Sequence, residues 1–263
     1  MKSVYLALFV LIAFFIASCD SEEVNSDPNY PTTINALTTE AIDQILVDLG
    51  NTPLHCTSVD TFGHCYITLK SGSCKDLDSN YIDYSYEEIA DSFYETILNY
   101  GDFINESDTT GIRISSIRNL KGMDFEKFIT TYPDSATQGW IVTSNKQTFN
   151  GYEIPGTEIK LLIDFDRVRA IEGKRYKELY LPLADIYNET LAKQQLFGKE
   201  YTSGSKTMTI DEETYWYKAE KIIFPITKSD KIELRVCWAL HPEDWLIIVD
   251  SQTGEILTSV NLS

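Results

Sequence analysis

Trp140-Ile-Val-Thr-Ser-Asn-Lys-Gln147-Thr-Phe149-Asn150-Gly151-Tyr-Glu-Ile-Pro-Gly156-Thr-Glu-Ile-Lys160 is the stretch that decides the fold. Two runs suited to extended backbone flank Asn150-Gly151, the pair that most readily takes the positive φ angles of a two-residue hairpin. The stretch therefore predicts strand, tight turn and strand. Just downstream, Glu158 to Phe165 puts Ile159, Leu161, Ile163 and Phe165 on one face by period-two alternation. Val168 to Ile171 and Tyr176 to Leu181 supply two more strand-like segments.

Working outward, the sharpest alternation runs from Ile232 to Leu240. Ile232, Leu234, Val236, Trp238 and Leu240 share one side, while Glu233, Arg235, Cys237 and Ala239 take the other, so Cys237 is expected to point away from the main apolar stripe. Helices punctuate the strands. Thr39 to Leu49 carries Ile42, Ile45, Leu46 and Leu49 on one face and stops at Gly50. Ser85-Tyr86-Glu87-Glu88 is a capping box opening a helix lined by Ile89, Phe93 and Ile97 as far as Gly101. A short helix is expected around Asp124 to Ile129, and Asn188 caps a third substantial one that reaches Phe197 and ends at Gly198. Pro53 to Cys74 reads as a hairpin.

The chain holds 263 residues, enough for a substantial core, and 22 Lys plus Arg against 40 Asp plus Glu give a formal charge of -18. Such a surface repels nucleic acid, so no nucleic-acid partner is expected. Lys2 precedes a continuous apolar run from Val4 to Ala17, shorter than the ~20 residues a membrane-spanning helix needs. This is a signal sequence. Its end, Ile16-Ala17-Ser18-Cys19, resembles the lipobox of bacterial lipoproteins. That resemblance implies cleavage before Cys19, lipidation of its thiol with diacylglycerol and palmitate, and a membrane contact made through that anchor. The acidic tether behind it, from Asp20 to Asp27, is similar to the stretch that exports lipoproteins to the cell surface in Bacteroidetes-type bacteria. The outer membrane and cell surface are thus the expected location, with a periplasm-facing anchor as the alternative.

Four cysteines remain: Cys56, Cys65, Cys74 and Cys237. An exported compartment permits disulfides, and four cysteines allow three pairings. His55-Cys56 and His64-Cys65 admit a metal site as an alternative, but no C-x-x-C or H-x-x-x-H spacing supports one. Asp76, Asp78, Asn80 and Glu87 partly mimic a calcium loop, yet Tyr81 stands where that loop needs Gly, so an exposed turn is the expectation. Gly198 to Thr207 misses the phosphate-loop spacing by one residue and is read as a mobile turn. The three histidines, His55, His64 and His241, form no H-E-x-x-H, and no G-x-S-x-G occurs. Asp164, Asp166, Asp211, Glu212 and Glu213 are too common in so acidic a chain to mark a catalytic pair. No catalytic residue, cofactor or metal is expected.

Ile89 to Phe103 resembles the opening helix of fungalysin/thermolysin-type propeptides (FTP), and the quoted stretch resembles their central motif, where Gln147, Phe149, Asn150-Gly151 and Gly156 build the turn. Leu234 to Leu240 and Trp245 to Leu257, with Asp250 and Gly254 bracketing a turn, are similar to the closing hairpin of PepSY-type units. The resemblance implies an α+β fold of tandem propeptide-like units, each an antiparallel sheet packed by helices. The implied division is signal peptide 1–18, flexible acidic tether 19–33, Cys-containing segment 34–84, FTP-like unit 85–182 and PepSY-like unit 183–263. No peptidase domain is expected after Ser263. The function so implied is a lipid-anchored, non-catalytic binding module of the envelope, acting on a secreted or envelope peptidase as inhibitor or assembly factor. Two readings stay open beside it: a surface lipoprotein binding peptide or glycan, for which 16 Tyr offer stacking surface, and a hydrolase or metal protein built on the His-Cys segment.

Overall fold

The computed structural model describes residues 28–51, 54–69, 85–101, 106, 109–131, 139–164, 167–177, 179–180, 182 and 184–263. Its architecture is α+β and mostly antiparallel, with four helices among those residues. None of them is long and apolar enough to cross a membrane. The chain divides into two compact units, Pro31–Leu181 with Lys221–Val236, and a second that includes Pro182–Glu220 and Cys237–Ser263.

In the larger unit, strand β1 is Thr32–Asn35 and helix α1 is Thr39–Gly50, which starts where Thr38 accepts a hydrogen bond from the Ala41 N–H. Leu49 is buried, while Leu46 turns outward, so the apolar face is narrower than the sequence suggests. Strands β2 (Leu54–Val59) and β3 (Cys65–Leu69) form the expected hairpin. The capping box is present: Ser85 Oγ accepts from the Glu88 N–H at 3.2 Å, and Glu88 Oε2 accepts from the Ser85 N–H at 2.8 Å. It opens α2 (Tyr86–Tyr100), whose Ile89, Phe93 and Ile97 are fully buried. Then come β4 (Ile114–Asn119), α3 (Phe125–Thr131), β5 (Gly139–Ser144), β6 (Gln147–Phe149), β7 (Tyr152–Ile154), β8 (Lys160–Asp164) and β9 (Arg167–Glu172).

Six strands make one sheet in the order β2-β3-β9-β8-β5-β4. The apolar residues of α2 share a core with Ile67, Val142, Leu161 and Ile171 from its strands. Tyr66 pairs with Glu172 and Thr68 with Ala170, so the β2–β3 hairpin is part of this sheet. Asn150 (φ 50) and Gly151 (φ 83) close the β6–β7 hairpin, as their sequence predicts.

The quoted stretch is nevertheless shared between two sheets, because β7 runs parallel to β12 (Trp216–Thr227) at Ile222, away from β5. Asn145 causes the break. Its Oδ1 accepts from the Arg113 N–H at 2.8 Å and its Nδ2 donates to Gly111 O at 3.1 Å, while the Gln147 N–H turns to Thr157 Oγ1. Tyr176 onward is not strand in its described residues, since the Tyr176 N–H is taken by the Gln147 side chain. Phe165 lies outside the described residues.

In the second unit, α4 spans only Glu189–Gln194. Leu196 and Phe197 bond three residues back, to Lys193 O and Gln194 O, and Gly198 (φ 72) turns the chain, so the expected helix to Phe197 is cut short. The supposed mobile turn is a regular hairpin of β10 (Glu200–Ser203) and β11 (Lys206–Thr209) around Gly204. Strand β13 (Lys231–Pro242) has residues in both units. Its Cys237–Leu240 part pairs with β14 (Trp245–Asp250), and β14 pairs with β15 (Ile256–Asn261). Ala192, Leu196, Tyr201, Ile210, Leu240, Trp245, Ile247 and Val249 form its core. Both faces of β13 are covered: Glu233, Cys237 and Ala239 are as buried as the apolar stripe.

Candidate functional site

Strand β4 ends its sheet, with β5 on one side only. At its start a bulge lets Ser115 fall out of register, and the Ser115 hydroxyl lies 2.9 Å from Thr143 O and 2.8 Å from Ser144 O. At its end Asn119 folds the chain back. The Asn119 Oδ1 accepts from the Lys121 and Met123 N–H groups, and the Asn119 N–H donates to Met123 O at 2.8 Å. An isolated bridge between Arg118 and Asp124 completes the turn. Among the described residues, the outer side of β4 is therefore open from Ile114 to Ile117. Main-chain groups alternate along a strand, so Ile117 presents its N–H and C=O to the side where Asn119 already bonds Met123.

Beside this edge lies a hollow of about 260 Å³, lined among others by Tyr86, Ile114, Ser116, Asp124, Phe125 and Glu126. The Tyr86 and Phe125 rings meet edge to face at 6.0 Å, and Phe125 tilts on Trp140 at 4.9 Å, so the apolar part of the lining is anchored in the core. Asp124 Oδ1 accepts from the Glu126 N–H at 3.1 Å, which starts α3. Nothing in the sequence pattern links Tyr86, Ser116 and Phe125, which lie in three separate elements.

A second polar hollow of about 300 Å³ opens in the same unit beside Asp60, His64, Glu158, Lys160, Glu172 and Lys174. Asp60 organises the β2–β3 turn: its Oδ1 accepts from the Phe62 and His64 N–H groups, and its Oδ2 lies 3.0 Å from His64 Nδ1 and 3.6 Å from Lys174 Nζ. Burial works to raise the Asp60 pKa, but the hydrogen bonds and charge of His64 with the Phe62 amide outweigh it and hold the carboxyl far below its ordinary range. Burial, then the Asp60 charge, pushes the Tyr176 phenol up to about 12. The pair is a hairpin staple by geometry. The next residue, Cys65, is buried and directs its Sγ to Gly63 O at 3.6 Å.

The other residues singled out by sequence scatter. Cys56 sits on β2 opposite Ile67, Cys65 on β3 opposite Val59, and Cys237 on β13 opposite Asp250. Cys19, Cys74 and the loop from Asp76 to Asn80 lie outside the described residues. His241 Nε2 is 3.9 Å from Glu220, and Asp211 Oδ1 accepts from the Glu213 N–H within a turn. Among the described residues no three His, Cys, Asp or Glu side chains are placed to hold a metal ion. The closing motif is turn chemistry: Asp250 Oδ1 accepts from the Gln252 and Thr253 N–H groups, and the Gly254 N–H donates to Asp250 O.

No protein-family model matches the sequence. No curated protein matches it either. Among solved structures it is similar to the Bacillus megaterium YpeB C-terminal domain, with a TM-score of 0.33 and 12% identity over 87% of this chain and 99% of that one. A likeness of this size assigns neither family nor function.

Proposed function

We propose that the chain is a non-catalytic protein-binding module of the cell envelope, lipid-anchored at Cys19, which takes an extended segment of its partner as an added strand along β4. The observation that carries this reading is the open edge from Ile114 to Ile117 with a hollow beside it. Unpaired main-chain donors and acceptors are a template for another strand, and pockets next to them select its side chains. The propeptide-like motifs support the same reading from another direction. Gln147, Asn150-Gly151 and Asp250 to Gly254 are all spent on turns and crosslinks of the fold. A secreted or envelope peptidase, held as inhibitor target or assembly client, is the partner this reading favours. The same reading puts the anchored module at the outer membrane and cell surface, with a periplasm-facing anchor as the alternative.

The test is a pull-down from envelope extract with the purified mature chain. It should recover a defined protein, and if that protein is a peptidase its inhibition should saturate at one equivalent. Hydrolysis of a substrate with turnover, abolished in His241→Ala or in a variant of an acidic residue, would overturn the reading.

A second reading, stacking on a peptide or glycan, draws on Tyr215 and Tyr217, which are 68% and 74% exposed. Glycan-array binding lost in Tyr217→Ala would favour it.

A further inference from the structure

We infer that the segment received by β4 is basic, with Lys or Arg alternating with apolar side chains. This rests on the edge reading above and adds the chemistry of the partner. An added strand shows its side chains alternately to two faces, so every second one enters the hollow beside β4. Tyr86, Ile114 and Phe125 offer that side chain an apolar seat. Among the described residues, the charged ones lining the hollow are Asp124 and Glu126. Among the described residues neither carboxylate has a cationic partner: Asp124 accepts only the Glu126 main-chain N–H, and Arg118, the next residue along the strand, does not line the hollow. A peptide with acidic side chains would meet repulsion there, and the chain's charge of -18 adds a longer-range field of the same sign. The open edge is four residues long, about 13 Å at ~3.3 Å per residue, and the Arg118–Asp124 bridge closes it, so a short segment fills it.

Three labelled octapeptides test this on the mature chain by fluorescence anisotropy: valine alternating with lysine, valine alternating with glutamate, and the lysine peptide with every main-chain nitrogen methylated, so that neither edge can donate. The lysine peptide should bind at least tenfold more tightly than the glutamate peptide, lose at least threefold in affinity in Glu126→Gln and again in Asp124→Asn, and weaken with salt. The methylated peptide should fail to bind, since methylation removes main-chain donors and leaves the charge. If lysine and glutamate peptides bind alike and the methylated peptide does not bind, the basic preference falls while the edge reading stands. Lysine-peptide binding indifferent to methylation or to both carboxylate variants would mean attraction by net charge alone and overturns the inference. Binding by none of the peptides overturns it too, and the envelope pull-down then judges the edge reading separately.

Discussion

Gln147 and Tyr176 hold each other through both ends of one amide: Gln147 Nε2 donates to Tyr176 O at 2.7 Å, and the Tyr176 N–H donates to Gln147 Oε1 at 2.9 Å. A side chain thus does what a ladder partner would do, tying the β6–β7 hairpin to the segment after β9. Tyr176 itself is buried among Phe62, Ile154, Ile223, Ile232 and Leu234, so its main-chain groups have little access to water.

Gln147→Ala should therefore cost about 2–3 kcal/mol, because two partly buried main-chain groups lose their partner at about 1–3 kcal/mol each and water recovers part of that. Gln147→Glu, which keeps the acceptor and loses the donor, should fall between. Tyr176→Phe leaves both bonds in place and should stay within about 1 kcal/mol, removing only a hydroxyl. Urea unfolding followed by Trp fluorescence measures all three. Equal stability of Gln147→Ala and the parent would show the amide bridge to be dispensable.

Glu233 gives a pH dependence with a definite sign. It is 3% exposed and receives Lys228 Nζ at 2.5 Å, Lys231 Nζ at 2.9 Å and Arg235 Nη2 at 2.8 Å. Burial alone would raise its pKa, yet the hydrogen bonds from these three cations and the Arg235 charge bring it down to about 2 from an ordinary 4.5. A depressed carboxyl stabilises the folded state above its unfolded pKa, and that contribution is lost as pH falls from about 4.5 towards about 2. Glu233→Gln should cost about 1–2 kcal/mol at neutral pH, the exposed tips of the lysines limiting the loss, and should flatten the stability profile across that acid window. Parallel profiles for both proteins between pH 5 and 2 would refute the assignment.

Much of this was legible locally. Ser85 with Glu88, Asn150 with Gly151, and Asp250 with Gly254 each specify their own geometry within a few residues, so the sequence names the element and its end. What failed was long-range. Alternation in β13 put Glu233 and Cys237 on the opposite face correctly, but whether that face meets water depends on what covers it, and it is buried. Leu196 and Phe197 continue the apolar pattern of α4, yet Gly198 and the pairing of its N–H with Ile210 O end the helix early. The candidate site was illegible for the same reason. Strand β4 is an edge because of strand order, and Tyr86 and Phe125 meet beside it from two helices far apart in sequence.

Gly254 (φ 71) packs under Tyr187, and a Cβ there would stand 2.7 Å from the ring. Tyr187 cannot retreat freely, since its N–H donates to Ser251 O and its carbonyl accepts Trp238 Nε1–H at 3.0 Å. Gly254→Ala should cost about 2–3 kcal/mol, from ~1–2 kcal/mol of left-handed backbone strain plus displacement of the ring. Gly204→Ala, at φ 60 with open space around it, bears the backbone part alone. In a Tyr187→Ala background the two glycines should cost the same, and a persisting gap would place the clash elsewhere.

The cysteines of the β2–β3 region are expected to include at least one disulfide. Register sets Cys56 opposite Ile67, two residues from Cys65, so a bridge between them would be diagonal at about 7–8 Å, wider than the ~4.4–6.8 Å that Cα atoms of a disulfide usually span. The bridge should therefore include Cys74. Thiol counting under denaturing, non-reducing conditions should give two or fewer free thiols in the mature chain, and Cys74→Ser should add one. Four free thiols with bound zinc would transfer the argument to a metal site.

The last expectation concerns Cys19. The apolar run from Val4 to Ala17 is too short to span a bilayer as a helix, and it gives way at Ala17-Ser18 to a cysteine where small residues admit a signal peptidase. One acyl chain anchors only weakly, so the two chains of the diacylglycerol are what would hold an acidic mature chain, of charge -19 once Lys2 is cleaved away, against an anionic membrane surface. Cells fed a clickable palmitate should label the native protein and leave Cys19→Ala unlabelled, with the variant released from the membrane fraction. An external protease that cannot cross the outer membrane should remove the native protein from intact cells if the acidic tether directs it to the surface. Equal labelling of native and Cys19→Ala proteins would show that the thiol is not the acceptor.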